Sequence, residues 1–289
     1  MSNFMTGMQQ KTIRANGIRI NAWVGGDGDP VVLLHGYPQT AQMWRKVAPL
    51  LLNRFTVVCP DLRGYGDSDK PRDGYDKRSM ASDIMATMLA LGFERFALVG
   101  HDRGARVAHR LAMDYPEAVR NLTVLDIVPT HTVFRDAGKD LAAAYWHWFF
   151  FQVPDLPEIM LANSAEPFLR SMFRALSFRQ GAIEEPMFAE YLRAFRLPGT
   201  IRAGLEDYRA AATVDIADDE RDLGRKLSCP VLAIWGEQGK MHTLFDVLAT
   251  WKEKATDVRG NPLPCGHFIP EEAPDELLRE LIPFLGRGH

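Results

Sequence analysis

A chain of 289 residues, 46% apolar and 25% charged, has an ordinary globular composition and enough length to bury a large core. Its formal net charge of −3 leaves no electrostatic footprint for a nucleic-acid or membrane partner. The three cysteines (Cys59, Cys229 and Cys265) lack C-x-x-C spacing, so they read as buried free thiols in a reducing cytoplasm, and no metal or cofactor is called for.

Residues 1–11 lack a long apolar stretch, so neither a signal peptide nor a membrane span is expected. Residues 11–15 and 18–24 flank Asn16-Gly17, a short-range hairpin signal. An all-apolar strand at 30–34 ends at His35-Gly36-Tyr37-Pro38, where the Tyr37–Pro38 bond is a candidate for cis. A helix follows at about 42–52, a strand at 55–59 and a glycine-punctuated loop at 61–68. Residues 78–91 predict an amphipathic helix, 96–99 a strand, 105–113 a helix and 122–127 a further strand. Buried strands alternating with helices predict an α/β fold, a mostly parallel sheet with helices on both faces.

That rhythm breaks after Pro129. From about Thr130 to Ala212 only helical stretches rich in Phe, Trp and Arg are visible; the alternation resumes with a strand at 230–235. Helices then follow near 244–254 and 271–285. The expected organisation is a core of residues 1–129 and 213–289 and an inserted helical cap at 130–212. Such a cap would lie over the C-terminal strand ends, where open sheets bind ligands.

Gly100-His101-Asp102-Arg103-Gly104 stands between a strand and a helix. Strand, sharp turn and helix are the context of a nucleophile elbow, the G-x-S-x-G device of α/β-hydrolases, here with a carboxylate in the serine position. Glycine at 100 and 104 lets two backbones approach closely. A serine hydroxyl attacks carbonyl carbon. A carboxylate instead displaces a leaving group from sp³ carbon and leaves an alkyl ester for water to cleave. The helix N-terminus favours ionised Asp102, although an isolated motif of this kind also serves as a plain N-cap.

The elbow needs a base, and His267, after the last candidate strand, fits the chain order nucleophile, acid, histidine. His289, at the tail, is the one histidine that follows it in the sequence. Two acids could orient His267: Asp126 after the 122–127 strand, or Glu237 after the 230–235 strand. The backbone N–H groups of Tyr37 and Arg103 occupy the oxyanion-hole positions. Arg103 and Arg106 share one face of the first helical turn, where cations oppose the helix dipole unless an anion compensates. A bidentate guanidinium suits a carboxylate; salt bridges to nearby acids are the structural alternative.

The motifs H-G-Y-P at 35–38, D-L-R-G-Y-G-D-S at 61–68, G-H-D-R-G at 100–104 and G-H-F at 266–268 resemble the Asp-nucleophile α/β-hydrolases, which include haloalkane dehalogenases and epoxide hydrolases. Over nearly the whole chain the resemblance is closest to the haloacetate dehalogenases. Its most specific parts are H-D-R-G-A-R-V-A-H-R at 101–110, V-L-D-I-V-P-T at 124–130, Y-W-H-W at 145–148 and D-Y-R-A-A-A-T at 207–213. The resemblance implies Asp102 as nucleophile, His267 as base, Asp126 rather than Glu237 as acid, and Arg103 with Arg106 as the clamp for the substrate carboxylate. It also implies His147, Trp148 and Tyr208 as halide donors, a small haloacid substrate and a homodimer. Ala105, where a second glycine is expected, and the acidic Glu237 depart from the pattern.

Without the resemblance, Tyr145-Trp146-His147-Trp148 reads as an aromatic core stripe. With it, three N–H or O–H donors at ~1.5–3 kcal/mol each would lower the barrier to halide departure by about 5–9 kcal/mol, or ~10³–10⁶ in rate. An epoxide hydrolase shares the Asp–His chemistry but protonates its leaving oxygen with two cap tyrosines. Tyr208 could be one, yet His147 occupies the other position, and an epoxide has no need of the arginines. A catalytically silent ligand-binding protein of the same fold is disfavoured because every triad residue is present.

Overall fold

The computed structural model describes residues 4–286; the first three residues of the 1–11 stretch and His289 lie outside them. An eight-stranded sheet runs in the order β1-β2-β4-β3-β5-β6-β7-β8. Its strands are β1 (Gln9–Ala15), β2 (Ile18–Gly25), β3 (Asp29–Leu34), β4 (Phe55–Pro60), β5 (Phe96–His101), β6 (Val119–Leu125), β7 (Val231–Gly236) and β8 (Val258–Leu263). The β1–β2 hairpin turns at Asn16-Gly17, both at positive φ, as the dipeptide predicts. β2 also pairs antiparallel with β4, and every pairing from β4 to β8 is parallel.

Every residue of β5 and β7 is buried, on both sides of the pleat, so helices cover both faces of the sheet. Among them, the helix Lys77–Ala90 packs on the elbow helix Arg103–Asp114, which lies against β5 and β6. Two predicted helices prove to be broken at proline. The 42–52 helix is a 3₁₀ segment, Ala41–Lys46, and a short helix, Ala48–Leu51, because Pro49 has no N–H to bond the carbonyl four residues back. The final helix starts earlier, at Ile269–Glu272, and restarts as Pro274–Leu285, with Pro274 at its first position. The helix expected near 244–254 is likewise two pieces, Lys240–Leu244 and Val247–Lys254, the second capped by Asp246.

Between β6 and β7 the regular elements are helices joined by irregular stretches, from Thr130–Arg135 to Thr200–Ala211, followed by Val214–Arg221. None of the helices of the described residues is long and apolar enough to cross a membrane.

Candidate active site

The central strand β5 delivers the candidate nucleophile. Asp102 follows it directly at φ 48° and ψ −118°, a backbone conformation that L residues rarely adopt. The turn is possible because its neighbours lack side chains. A β-carbon on Gly104 would sit 2.3 Å from the His35 carbonyl oxygen, and one on Gly100 would sit 2.5 Å from the Ala105 Cα. Ala105 itself is fully buried and donates its N–H to the Asp102 carbonyl at 3.0 Å. The substituted glycine position thus keeps the first bond of the helix.

The Tyr37 N–H donates to Asp102 Oδ1 at 2.9 Å, so one expected oxyanion donor already faces the carboxylate. The Tyr37–Pro38 bond is cis. Burial works against charge on Asp102, but His267, His101, Arg103 and Arg106 outweigh it and hold the carboxyl below its usual range. At working pH the group is an anion in a nearly closed site.

Asp126 follows β6 at φ 53°, and its carboxylate accepts from His267 Nδ1 at 2.6 Å and from the Gly236 N–H at 2.9 Å. Glu237 is exposed and makes no side-chain bond to His267 among the described residues, so the pair the structure brings together is Asp126–His267. Burial disfavours the imidazolium. The Asp126 hydrogen bond and the charges of Asp126, Asp102 and Glu272 overcome this and raise the His267 pKa above 6.5.

The two arginines differ. Arg103 is fully buried and bound to Asp207: Nε donates to Oδ1 at 3.0 Å and Nη2 to the backbone carbonyl at 2.7 Å, with Nη2 also on Oδ1. The salt-bridge alternative therefore holds for Arg103, of which Nη1 is left without a partner among the described residues. The charges of Asp207 and Asp102 raise its pKa against burial. Arg106 donates from Nη1 to the Val128 carbonyl and Thr130 Oγ1, both at 3.0 Å. Its Nε and Nη2 are buried without partners among the described residues, and burial, with Arg103 beside it, pulls its pKa down to about 10.

Trp148 and Tyr208 lie against these guanidiniums, with His147 packed beside Tyr208. The Arg103 Cζ lies 4.4 Å from the Tyr208 ring centroid, and the Arg106 Cζ lies 4.7 Å from that of Trp148. His147 and Trp148 each pack edge-on against Tyr208, at 5.7 and 5.6 Å between ring centroids. Burial takes the His147 pKa down to about 3, so its imidazole is neutral, a donor without fixed charge.

Sequence reasoning assigned no role to several residues here. Asp207 gathers Arg103, Lys77 and the Tyr65 hydroxyl, the last at 2.6 Å. His101, the residue before the nucleophile, donates Nε2–H to the His267 carbonyl at 2.8 Å. Tyr145 is buried with a hydroxyl that has no partner among the described residues. Asp207 could have been found, because it opens the D-Y-R-A-A-A-T motif; His101 stood inside the elbow without a chemical reason to single it out.

The alpha/beta hydrolase fold family matches residues 29–274. The chain is 42% identical to a fluoroacetate dehalogenase of Burkholderia sp, covering 96% of this chain and 94% of that one. It is 36% identical to a soluble epoxide hydrolase of Corynebacterium sp. (strain C12), over 93% and 94%. A crystal structure from Nostoc sp PCC 7120 superimposes with a TM-score of 0.97 at 50% identity, over 98% of this chain and all of that one.

Proposed function

This chain belongs to the alpha/beta hydrolase fold family, and from that premise we propose that it hydrolyses the carbon–halogen bond of haloacetates, converting fluoroacetate to glycolate and fluoride. The observation that carries the reading is Arg106: a buried guanidinium beside the nucleophile with two nitrogens unpartnered. An unpaired buried charge is costly, and a substrate carboxylate bridging Arg106 and the free Nη1 of Arg103 would relieve that cost. The 42% identity to a fluoroacetate dehalogenase supports the same substrate class.

With the carboxylate held there, Asp102 attacks Cα in line. A carbon–oxygen bond forms as the carbon–halogen bond breaks, and the halide leaves with the bonding electrons toward His147, Trp148 and Tyr208, on the helical cap at 130–212. The ester carbonyl of Asp102 then keeps the Tyr37 N–H and adds that of Arg103. Water attacks this carbonyl carbon, and His267, oriented by Asp126, takes its proton. Collapse of the tetrahedral intermediate expels the glycolate oxygen, which recovers the proton from His267. The cycle releases glycolate, halide and one proton.

The epoxide hydrolase reading is kept by the 36% identity and by Tyr208, but an uncharged epoxide leaves Arg106 unpaired. Fluoride release from fluoroacetate, measured beside ring opening of styrene oxide, tests the choice. The expected result is turnover of the haloacetate and none of the epoxide. The reverse result would overturn the proposal.

A further inference from the structure

We infer that Glu272 is a positioning residue for ester hydrolysis, holding His267 in register with Asp102 through the backbone on either side of it. The inference rests on the Asp102–His267 reaction proposed above. Glu272 is 3% exposed, and its carboxylate accepts four backbone N–H groups from two distant segments. Oε2 takes those of Phe178 and Arg179 at 2.8 Å and that of Gly266 at 3.0 Å; Oε1 takes that of Phe268 at 3.0 Å. The two amides flanking His267 are thus tied through one carboxylate to the irregular stretch that follows the helix Ala165–Leu176.

Other bonds fix the histidine itself. Its N–H donates to the Leu176 carbonyl at 2.9 Å, its carbonyl accepts from His101, and its ring is held by Asp126. There is no slack between the segments: a β-carbon on Gly266 would meet Leu176 O and Phe178 N at 2.6 Å. The Arg179 Nη1 closes the clamp by donating to the Glu272 carbonyl at 2.7 Å, and Nη2 by donating to Glu276 at 2.9 Å. A carboxylate can satisfy four converging donors, whereas an amide must turn its own NH₂ toward one of them. Asp126, Asp102, His101, His147, Cys265, Arg179 and Glu276 are other titratable or charged groups around this loop.

The test is E272Q. A shift of about 1 Å in a reacting group costs ~10²-fold, so turnover should fall roughly ten- to a hundredfold with KM lowered, because hydrolysis slows more than alkylation. Mass spectrometry during turnover should find the ester accumulated on the variant but not on the wild type. His267, titrated by NMR without substrate, should lose its proton at lower pH than in the wild type, since one anion facing it is gone. Should E272Q not fold, Arg179→Ala removes the outer half of the clamp at a side chain 39% exposed. It should lower turnover several-fold with the same ester accumulation. A variant with reduced melting temperature but wild-type turnover and no added ester would overturn the inference. Wild-type protein inert toward haloacetates would overturn the functional reading instead, while the NMR titration would still report the coupling of Glu272 to His267.

Discussion

Trp148 turns its ring face to Arg106 and Arg103, at 4.7 and 5.5 Å, and its indole N–H is one of the three donors proposed for the leaving halide. Trp148→Phe preserves most of the ring and deletes the N–H. Fluoride is the stronger hydrogen-bond acceptor and the more tightly hydrated ion, so losing a donor costs more when fluoride leaves. Defluorination should slow more than dechlorination when both rates are measured on one preparation; equal slowing would return Trp148 to plain packing. Arg106 is the proposed partner for the other end of the substrate, its carboxylate. Arg106→Leu should cut haloacetate turnover by about ten- to a hundredfold, the worth of a charge-assisted bond at ~1.5–3 kcal/mol. Haloacetamides, which bring no anion, should suffer much less. Equal losses on both would make Arg106 a structural residue.

One ion pair joins two elements of the site. Asp207, in the helix Thr200–Ala211, holds Arg103 of the elbow helix and stands next to Tyr208, so a single turn fixes one arginine of the proposed clamp and one proposed halide donor. Burial disfavours the Asp207 anion, but Arg103 and Lys77 overcome it and push its pKa well below the usual carboxylate range. A depressed carboxylate stabilises the fold above its unfolded value of about 4 and loses that contribution as pH falls toward its folded value. Asp207→Asn leaves two buried cations short of a counter-ion and should destabilise the protein by ~3–5 kcal/mol at neutral pH. Its melting temperature should also depend less on pH below about 4 than that of the wild type. A variant as stable as the wild type would show that the pair is dispensable. The elements were unevenly legible. The elbow reads from its glycines and the hairpin from Asn16-Gly17, because the chemistry there is local. β8, with Arg259, Gly260, Asn261 and Pro262, has no strand pattern; as an edge strand it borrows its geometry from β7. Glu272 was invisible because its four donors are backbone groups that meet only in the folded chain.

Across the whole molecule, the sheet places Asp102 at the end of β5, Asp126 beyond β6 and His267 beyond β8, on three of its parallel strands. The motifs read this far because α/β strand order converts chain order into spatial order. What they could not give was the pairing of Asp207 with Arg103, which depends on how the helical segment folds back. The charges of the assembled site also change during the proposed cycle. Asp102 holds the His267 pKa up while it is an anion; once esterified it is neutral, so His267 deprotonates more readily at the step that needs a base. All of this depends on one covalent event. Its most direct test is His267→Gln treated with fluoroacetate and examined by intact-mass and peptide-mapping mass spectrometry. The expected product is a stable carboxymethyl ester on Asp102, absent from Asp102→Asn treated alongside. An unmodified chain, or an adduct on another carboxylate, would contradict it.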